Sequence, residues 1–262
     1  MKYCYLVTEV VHDIEFITKL IKKSLNNLKR IQKRSEVDPF WDKLIPKTFP
    51  IDDDLLKRVP VPLFLQDNQY SIALHNARGI ERIAGTLEES LCLINTSQLF
   101  SIGLVLDADE EEHPSARFEQ LIQKLSSKIN LIDLDSARLG EVEKEHKLRF
   151  GVFIIPNNQD SGTLENLLIE CAAKNYSNLL KLAEEYIENI DRDKLESKDL
   201  KEIKKPAGRK KAIVSIISSV LKPGRAIQTS LQDNRWIDEK TLQLQNIILL
   251  KNFIADILGI DS

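Results

Sequence analysis

Residues 101–110 read SIGLVLDADE, an apolar run that stops abruptly at two aspartates with one residue between them. Its Ile, Gly, Leu and Val describe a strand buried on both faces, as in a parallel sheet covered by helices. Positions two apart in an extended chain point to one side, so Asp107 and Asp109 are expected to aim both carboxylates at one spot beyond the strand's carboxyl end. Two anions held that close repel unless a cation lies between them. A hard divalent ion such as Mg²⁺ takes oxygen ligands of this kind and keeps several waters. The carboxyl edge of a parallel sheet is also where α/β proteins place their sites. A plainer reading has the aspartates end the strand and cap the next helix, and on this stretch alone the two readings stand level.

Working outward, YCYLVT at 3–8 is a short apolar strand. Ile14, Phe16, Ile17, Leu20, Ile21, Leu25 and Leu28 then keep helical spacing and predict an amphipathic helix over 12–34. The stretch 35–67 has no sustained period and holds Pro39, Pro46, Pro50, Pro60 and Pro62 of the chain's nine prolines. It is expected to be an irregular insertion packed over the core by Phe40, Trp41 and Phe49. Further elements follow: a strand at 70–74, a helix from Gly79 to about Ile94, the strand ending at Asp107, a helix over 114–128 opened by Pro114, a short strand at 130–135, and a buried strand at 149–156 (RFGVFIIP). This alternation is the signature of a parallel sheet with crossover helices. From Leu164 onward the pattern is helical, ending in EKTLQLQNIILLKNFIADILGI, whose apolar face needs cover. The expected organisation is a mainly parallel α/β domain flanked by helices over 1–170 and a helical region over 171–262 packed on it.

Composition narrows the function classes. A hydrophobic share of 42% and a charged share of 29% describe an ordinary globular chain. No apolar run reaches the ~18 to 20 residues of a membrane span, and no signal-peptide pattern opens the sequence, so a cytoplasmic protein without a membrane partner is expected. Cys4, Cys92 and Cys171 are odd in number and set among apolar residues, which predicts buried free thiols. The histidines at 12, 75, 113 and 146 form no HxH or HxxxH pair, which disfavours a His-based metal centre. A net charge of −3 argues against a surface basic all over, but not against a local patch. Lys201, Lys204, Lys205, Arg209, Lys210, Lys211, Lys222 and Arg225 form one basic run; Lys22, Lys23, Lys29, Arg30, Lys33 and Arg34 form another. Each suits phosphate binding, with Lys204, Lys205, Arg209, Lys210 and Lys211 the candidates for nucleic acid, although for either run taken alone a solvated helix face is the favoured reading.

Three acidic sites fall at expected strand ends: Glu9 with Asp13, Asp107 with Asp109, and the loop carrying Asp160 and Glu165. If the three strands are parallel neighbours, the loops converge into one carboxylate cluster, as metal-assisted phosphoryl chemistry requires.

On these residues the chain resembles the TOPRIM domain family of type IA and type II topoisomerases, primases, OLD-family nucleases and small stand-alone bacterial proteins. Glu9 matches the family's glutamate after the first strand, Asp107 and Asp109 match its DxD, and GTLE at 162–165 matches the G-x-L-E segment of the small proteins. Pro223, Gly224 and Trp236 resemble the proline-glycine pair and tryptophan of their helical C-terminal regions. The likeness covers residues 3–170 well and the remainder loosely. Val10 departs from it, standing where the family usually has a glycine that lets the backbone turn tightly.

The resemblance implies that Asp107 and Asp109 hold Mg²⁺ or Mn²⁺ and that Glu9 ligates metal or acts as general base or acid. Glu165 and then Asp13 are the candidates for holding a second ion. Lys210 or Lys211 would stabilise phosphate charge, with His12 and His113 beside the acidic loops. A topoisomerase needs a separate tyrosine-bearing domain and a primase a zinc domain, and no Walker A motif is present. The resemblance therefore implies a stand-alone Mg²⁺-dependent nuclease acting on DNA or RNA, tRNA included. Such proteins accompany a separate ATPase in anti-phage defence, and the helical tail or the insertion would be the docking surface. A homo-oligomer fits equally. The alternatives are a catalytically degenerate TOPRIM scaffold that binds nucleic acid or protein, and a receiver-like domain, which lacks here the lysine expected after RFGVFIIPNN.

Overall fold

The structure is a computed structural model that describes residues 1–48, 53, 60–109, 113–144 and 147–260. Phe49 and Glu110 lie outside these residues.

The core is a seven-stranded sheet in the order β2-β3-β4-β1-β5-β7-β6. Its centre is parallel: β1 (Lys2–Thr8) pairs with β4 (Tyr70–Asn76) on one side and β5 (Leu99–Asp107) on the other, and β5 pairs with β7 (Arg149–Ile155). The edges β2 (Lys29–Ile31), β3 (Leu63–Gln66) and β6 (Val142–Glu143) are short and antiparallel.

Strand alternation sorts the central side chains into two cores, making three layers. Cys4 and Leu6 of β1, Val105 of β5 and Phe153 and Ile155 of β7 pack on α1 (Val11–Ser24) and the helices α4 (Leu164–Asn175), α5 (Ser177–Glu188), α6 (Gly208–Leu221), α7 (Ile227–Asp233) and α8 (Gln245–Leu258). Tyr5 and Val7, Ile102, Leu104 and Leu106, and Val152 and Ile154 face the opposite way, toward α2 (Ile83–Leu93) and α3 (Pro114–Ser126). The helical region thus shares one hydrophobic core with the sheet. None of the helices among the described residues is long and apolar enough to cross a membrane.

Several expectations are corrected. The first helix stops at Ser24, not at Arg34. Asn26 and Asn27 form a turn there, and Lys29–Ile31 becomes an edge strand; Leu28, whose N–H closes the turn onto the Leu25 carbonyl, keeps the apolar spacing because its side chain is buried outside any helix. The proline-rich insertion is less irregular than its period suggests. It contributes β3, and Trp41 and Leu44 from a short 3-10 helix (Pro39–Leu44) enter the core. No strand forms at 130–135, where Asp133 instead accepts the Asp135 backbone N–H and the Ser136 hydroxyl in a local turn. The last helix begins at Gln245 because Asp238 holds the preceding residues in a separate turn, accepting the N–H groups of Lys240 and Thr241. Cys4 and Cys171 are buried free thiols, whereas Cys92 is free and exposed on α2.

Candidate metal centre

Because β1, β5 and β7 are parallel neighbours, their carboxyl ends line up. Thr8 is level with Val105, and Asp107 with Ile155. The acidic loops therefore meet at one edge, and each carboxylate is positioned by local chemistry.

Asp107 is the last residue of β5 and is buried. Its Oδ1 accepts the backbone N–H of Leu164 at 2.9 Å, so it caps the distant helix α4; the next helix, α3, is capped by His113. Asp13, in the first turn of α1, is fully buried, and its Oδ2 accepts the Val10 N–H at 3.0 Å. Val10 itself has φ −132° and ψ 166°, extended backbone that any residue adopts, so the missing glycine costs this loop nothing. Glu165 is buried at the start of α4, where its Oε2 accepts the Thr163 hydroxyl at 2.7 Å.

Asp109 behaves differently. Regular alternation ends with the strand at Asp107, and Asp109 takes a left-handed conformation with φ +63°. Its carbonyl accepts the Gly162 N–H at 2.8 Å. Gly162 has φ +149°, and a Cβ there would approach the Asn166 side chain to 2.9 Å, so the GTLE segment requires its glycine. The Asp109 side chain is half exposed and is paired with Arg117 of α3. The two aspartates therefore do not point at one spot: Asp107 faces inward to Asp13, Glu9 and Glu165, and Asp109 forms the rim.

The electrostatics mark the cluster. Burial, then Asp13, Glu9, Glu165 and Asp109, push the Asp107 carboxyl well above the usual carboxylate range. Burial raises Asp13 to about 8, with Glu9 and Glu165 adding to it against the Val10 N–H. Burial and then Asp109 raise Glu9, opposed by Arg117 and Lys211. Burial lowers the beside-lying His12, and Lys211 adds to that while Glu165 opposes it. Among the described residues, Glu9 Oε2 and Asp13 Oδ1 are buried without a hydrogen-bond partner. Two buried, unpartnered carboxylate oxygens among like charges are what a hard cation would satisfy, and the all-oxygen donor set suits Mg²⁺ or Mn²⁺. Among the described residues no three His, Cys, Asp or Glu side chains converge as a ready ligand set. Mg²⁺ needs only one or two carboxylates beside its waters, so the arrangement fits it.

A cleft of about 660 Å³ opens against the rim, lined by Asp109, Arg117, Lys205, Gly208 and Lys211. It forms because the basic segment folds back over the sheet edge. At Gly208 a Cβ would meet the Glu202 carbonyl at 2.2 Å, so glycine permits this close approach. Lys210 reaches the same region, donating to Asn166 Oδ1 at 3.2 Å. Arg209 instead pairs with Glu188 and Lys205 with Glu202, while Lys204 is exposed. Asp160 stays outside the cluster, accepting from Asn157 in its own turn. His113 is exposed and spent on its cap.

The family DUF3226, described as a protein of unknown function, matches residues 4–255. The chain belongs to the DUF3226 family. No curated protein matches it. A crystal structure titled as a hypothetical protein, PH0156, from Pyrococcus horikoshii OT3 is 17% identical, covers 99% of this chain and 96% of that one, and superposes with a TM-score of 0.52. At that identity the likeness speaks to fold alone. In this DUF3226 chain, sequence reasoning had passed over Arg117. Its signal was a charged residue in register with Leu121 and Leu125 on the buried stripe of α3, where an arginine needs a partner.

Proposed function

We propose that this protein is a TOPRIM-type, Mg²⁺- or Mn²⁺-dependent phosphodiesterase that cleaves DNA or RNA in the cytoplasm. The observation that carries the reading is the convergence of Glu9, Asp13, Asp107 and Glu165 at the carboxyl edge of the parallel sheet, with unpartnered oxygens on Glu9 and Asp13. Glu9 and Asp13, through their unpartnered oxygens, would hold the ion together with its waters, and Asp107 and Glu165 would add negative charge around it. When bound, it supplies Lewis-acid stabilisation of the phosphoryl oxygens and lowers the pKa of a coordinated water. In the alternative role Glu9, whose carboxyl pKa is raised by burial, would take or return a proton at Oε2 and leave the ion to Asp13. Lys211 and Arg117 line the cleft where the substrate phosphate would carry its charge. Asp109 positions Arg117 through their ion pair. A separate ATPase partner, as in anti-phage defence, belongs to this reading, as does self-association.

A binding-only scaffold is the second reading, and one observation favours it: the Asp109 carboxylate of the DxD is already taken by Arg117. Incubation of plasmid DNA and of total tRNA with Mg²⁺ or Mn²⁺ separates the two. Cleavage that disappears in Glu9→Ala and Asp107→Ala supports the nuclease. No cleavage with either ion, with and without an ATPase partner, leaves the scaffold.

A further inference from the structure

Part of the second basic run, Lys22, Lys23 and Arg30, lies away from the carboxylates and lines a pocket. Between α1, β2 and α7 a hollow of about 240 Å³ is lined by Glu15, Thr18, Lys19, Lys22, Lys23, Arg30 and Gln232. That volume is below the ~300 Å³ at which drug-sized ligands begin to fit, and it suits a small anion.

The charge balance is uneven. Arg30 is neutralised by the buried Glu15 at 2.9 Å, and Lys23 by Glu239 at 3.0 Å. The nearby Asp233 is engaged by Lys222 at 2.7 Å. Lys19 and Lys22 remain without an ion pair among the described residues, and Lys19 has only a long contact of 3.4 Å to the Asn234 carbonyl. Burial lowers the Lys19 pKa, the adjacent Lys23 and Lys22 add to this, and Asp233 opposes it. A second, independent feature is Thr18: it is 5% exposed, and its hydroxyl is buried with no hydrogen-bond partner among the described residues. A hydroxyl donor lining the same hollow as two ammonium groups that lack an ion pair supplies the donors an anionic oxygen cluster needs.

We propose that this pocket is a phosphate-binding site, in which Lys19 and Lys22 supply charge and Thr18 donates a hydrogen bond. Positions 12, 15, 19 and 22 share one stripe of α1, which starts at the carboxylate centre with His12. Lys19 and Lys22 stand about 9 and 14 Å along the helix axis from Asp13. The phosphate is therefore either that of a nucleic-acid strand leaving the centre or a free phosphate group. The strand alternative rests on the proposed nuclease reading; the pocket itself does not.

The test measures binding in EDTA, so that it is independent of metal and of cleavage. Pyrophosphate and a single-stranded oligonucleotide are titrated separately into the full chain and into Lys19→Gln/Lys22→Gln, with Thr18→Val as a variant that keeps the buried volume and circular dichroism as the check of folding. The double variant is expected to bind at least tenfold more weakly, and Thr18→Val several-fold. For a strand, the slope of log K against log salt falls by about 1.4 when two phosphate contacts are lost. Loss confined to the oligonucleotide assigns a backbone phosphate, and loss confined to pyrophosphate assigns a free one. Equal binding by wild type and both variants in both titrations, or no binding of either probe by the wild type, overturns the proposal.

Discussion

Two buried polar clusters sit on this sheet, and they are satisfied in opposite ways. Toward α2, Tyr5, His75, Ser90, Trp41 and Ser71 close on one another. The Tyr5 hydroxyl is 2.6 Å from His75 Nδ1 and 2.7 Å from Ser90 Oγ, His75 Nε2 is 3.0 Å from the Pro60 carbonyl, and Trp41 Nε1 donates to Ser71 at 2.9 Å. The cluster is neutral, because burial pulls His75 down to about 4. At the carboxyl edge, Glu9, Asp13, Asp107 and Glu165 share one charge sign, and two of their oxygens have no partner. Burial alone therefore does not mark function. A paired neutral network specifies a core, whereas an unpaired cluster of one sign stores an electrostatic cost that a ligand can relieve.

The largest expected effect is on chemistry. Glu9→Gln should lower metal-dependent cleavage by about 10³-fold or more, about 4 kcal/mol in barrier, with a melting temperature no lower than that of the wild type. Turnover that survives in this variant would remove the functional half of the contrast. The neutral cluster should instead show in acid stability. His75 has a folded pKa below its unfolded value of about 6.5, so the unfolded chain takes up the proton first. The His75 contribution should be complete above pH 6.5 and should fall by about 3 kcal/mol as the pH drops to about 4, while the raised carboxyl of Asp13 works in the opposite sense over the same range. Urea unfolding of the wild type and His75→Gln side by side checks this: the stability difference between them should shift by about 3 kcal/mol against the wild type from pH 7 to pH 4. Tyr5→Phe removes one hydroxyl and leaves His75 and Ser90 short of a partner, which should cost about 1 to 3 kcal/mol in denaturant unfolding at pH 7. The smallest effect has the opposite sign. Asp13→Asn keeps an acceptor for the Val10 N–H and deletes a buried charge, so without divalent cation at pH 8 it should gain about 1 kcal/mol, a rise of about 2 to 4 °C. The same variant should lose the Mg²⁺-induced rise in melting temperature expected of the wild type.

Much of this was legible in the chain. The apolar runs at 3–8, 101–107 and 149–155 carry the burial of central strands, and their ends carry the acids, so the parallel core and the meeting of Glu9, Asp107 and Glu165 follow from pattern. The alternation rule failed one residue beyond the strand. Asp109 turns to Arg117 because a left-handed residue breaks the two-residue period, and no local signal in DADE announces that. Leu28 keeps helical spacing outside the helix for a related reason: burial constrains where a side chain goes and leaves open which backbone takes it there.

The amino-acid sequence by itself determined the four central strands, most of the helices and the identity of the acidic residues, since periodicity and residue chemistry are local properties. Only the tertiary structure decided that Val10 needs no special backbone, that Asp107 caps a helix 57 residues away, that Arg117 holds Asp109, and that Lys211 comes to the cleft while Lys19 and Lys22 form a second pocket. Those facts depend on which loop ends meet when the sheet closes its two cores, and charges feel one another through space and not along the chain.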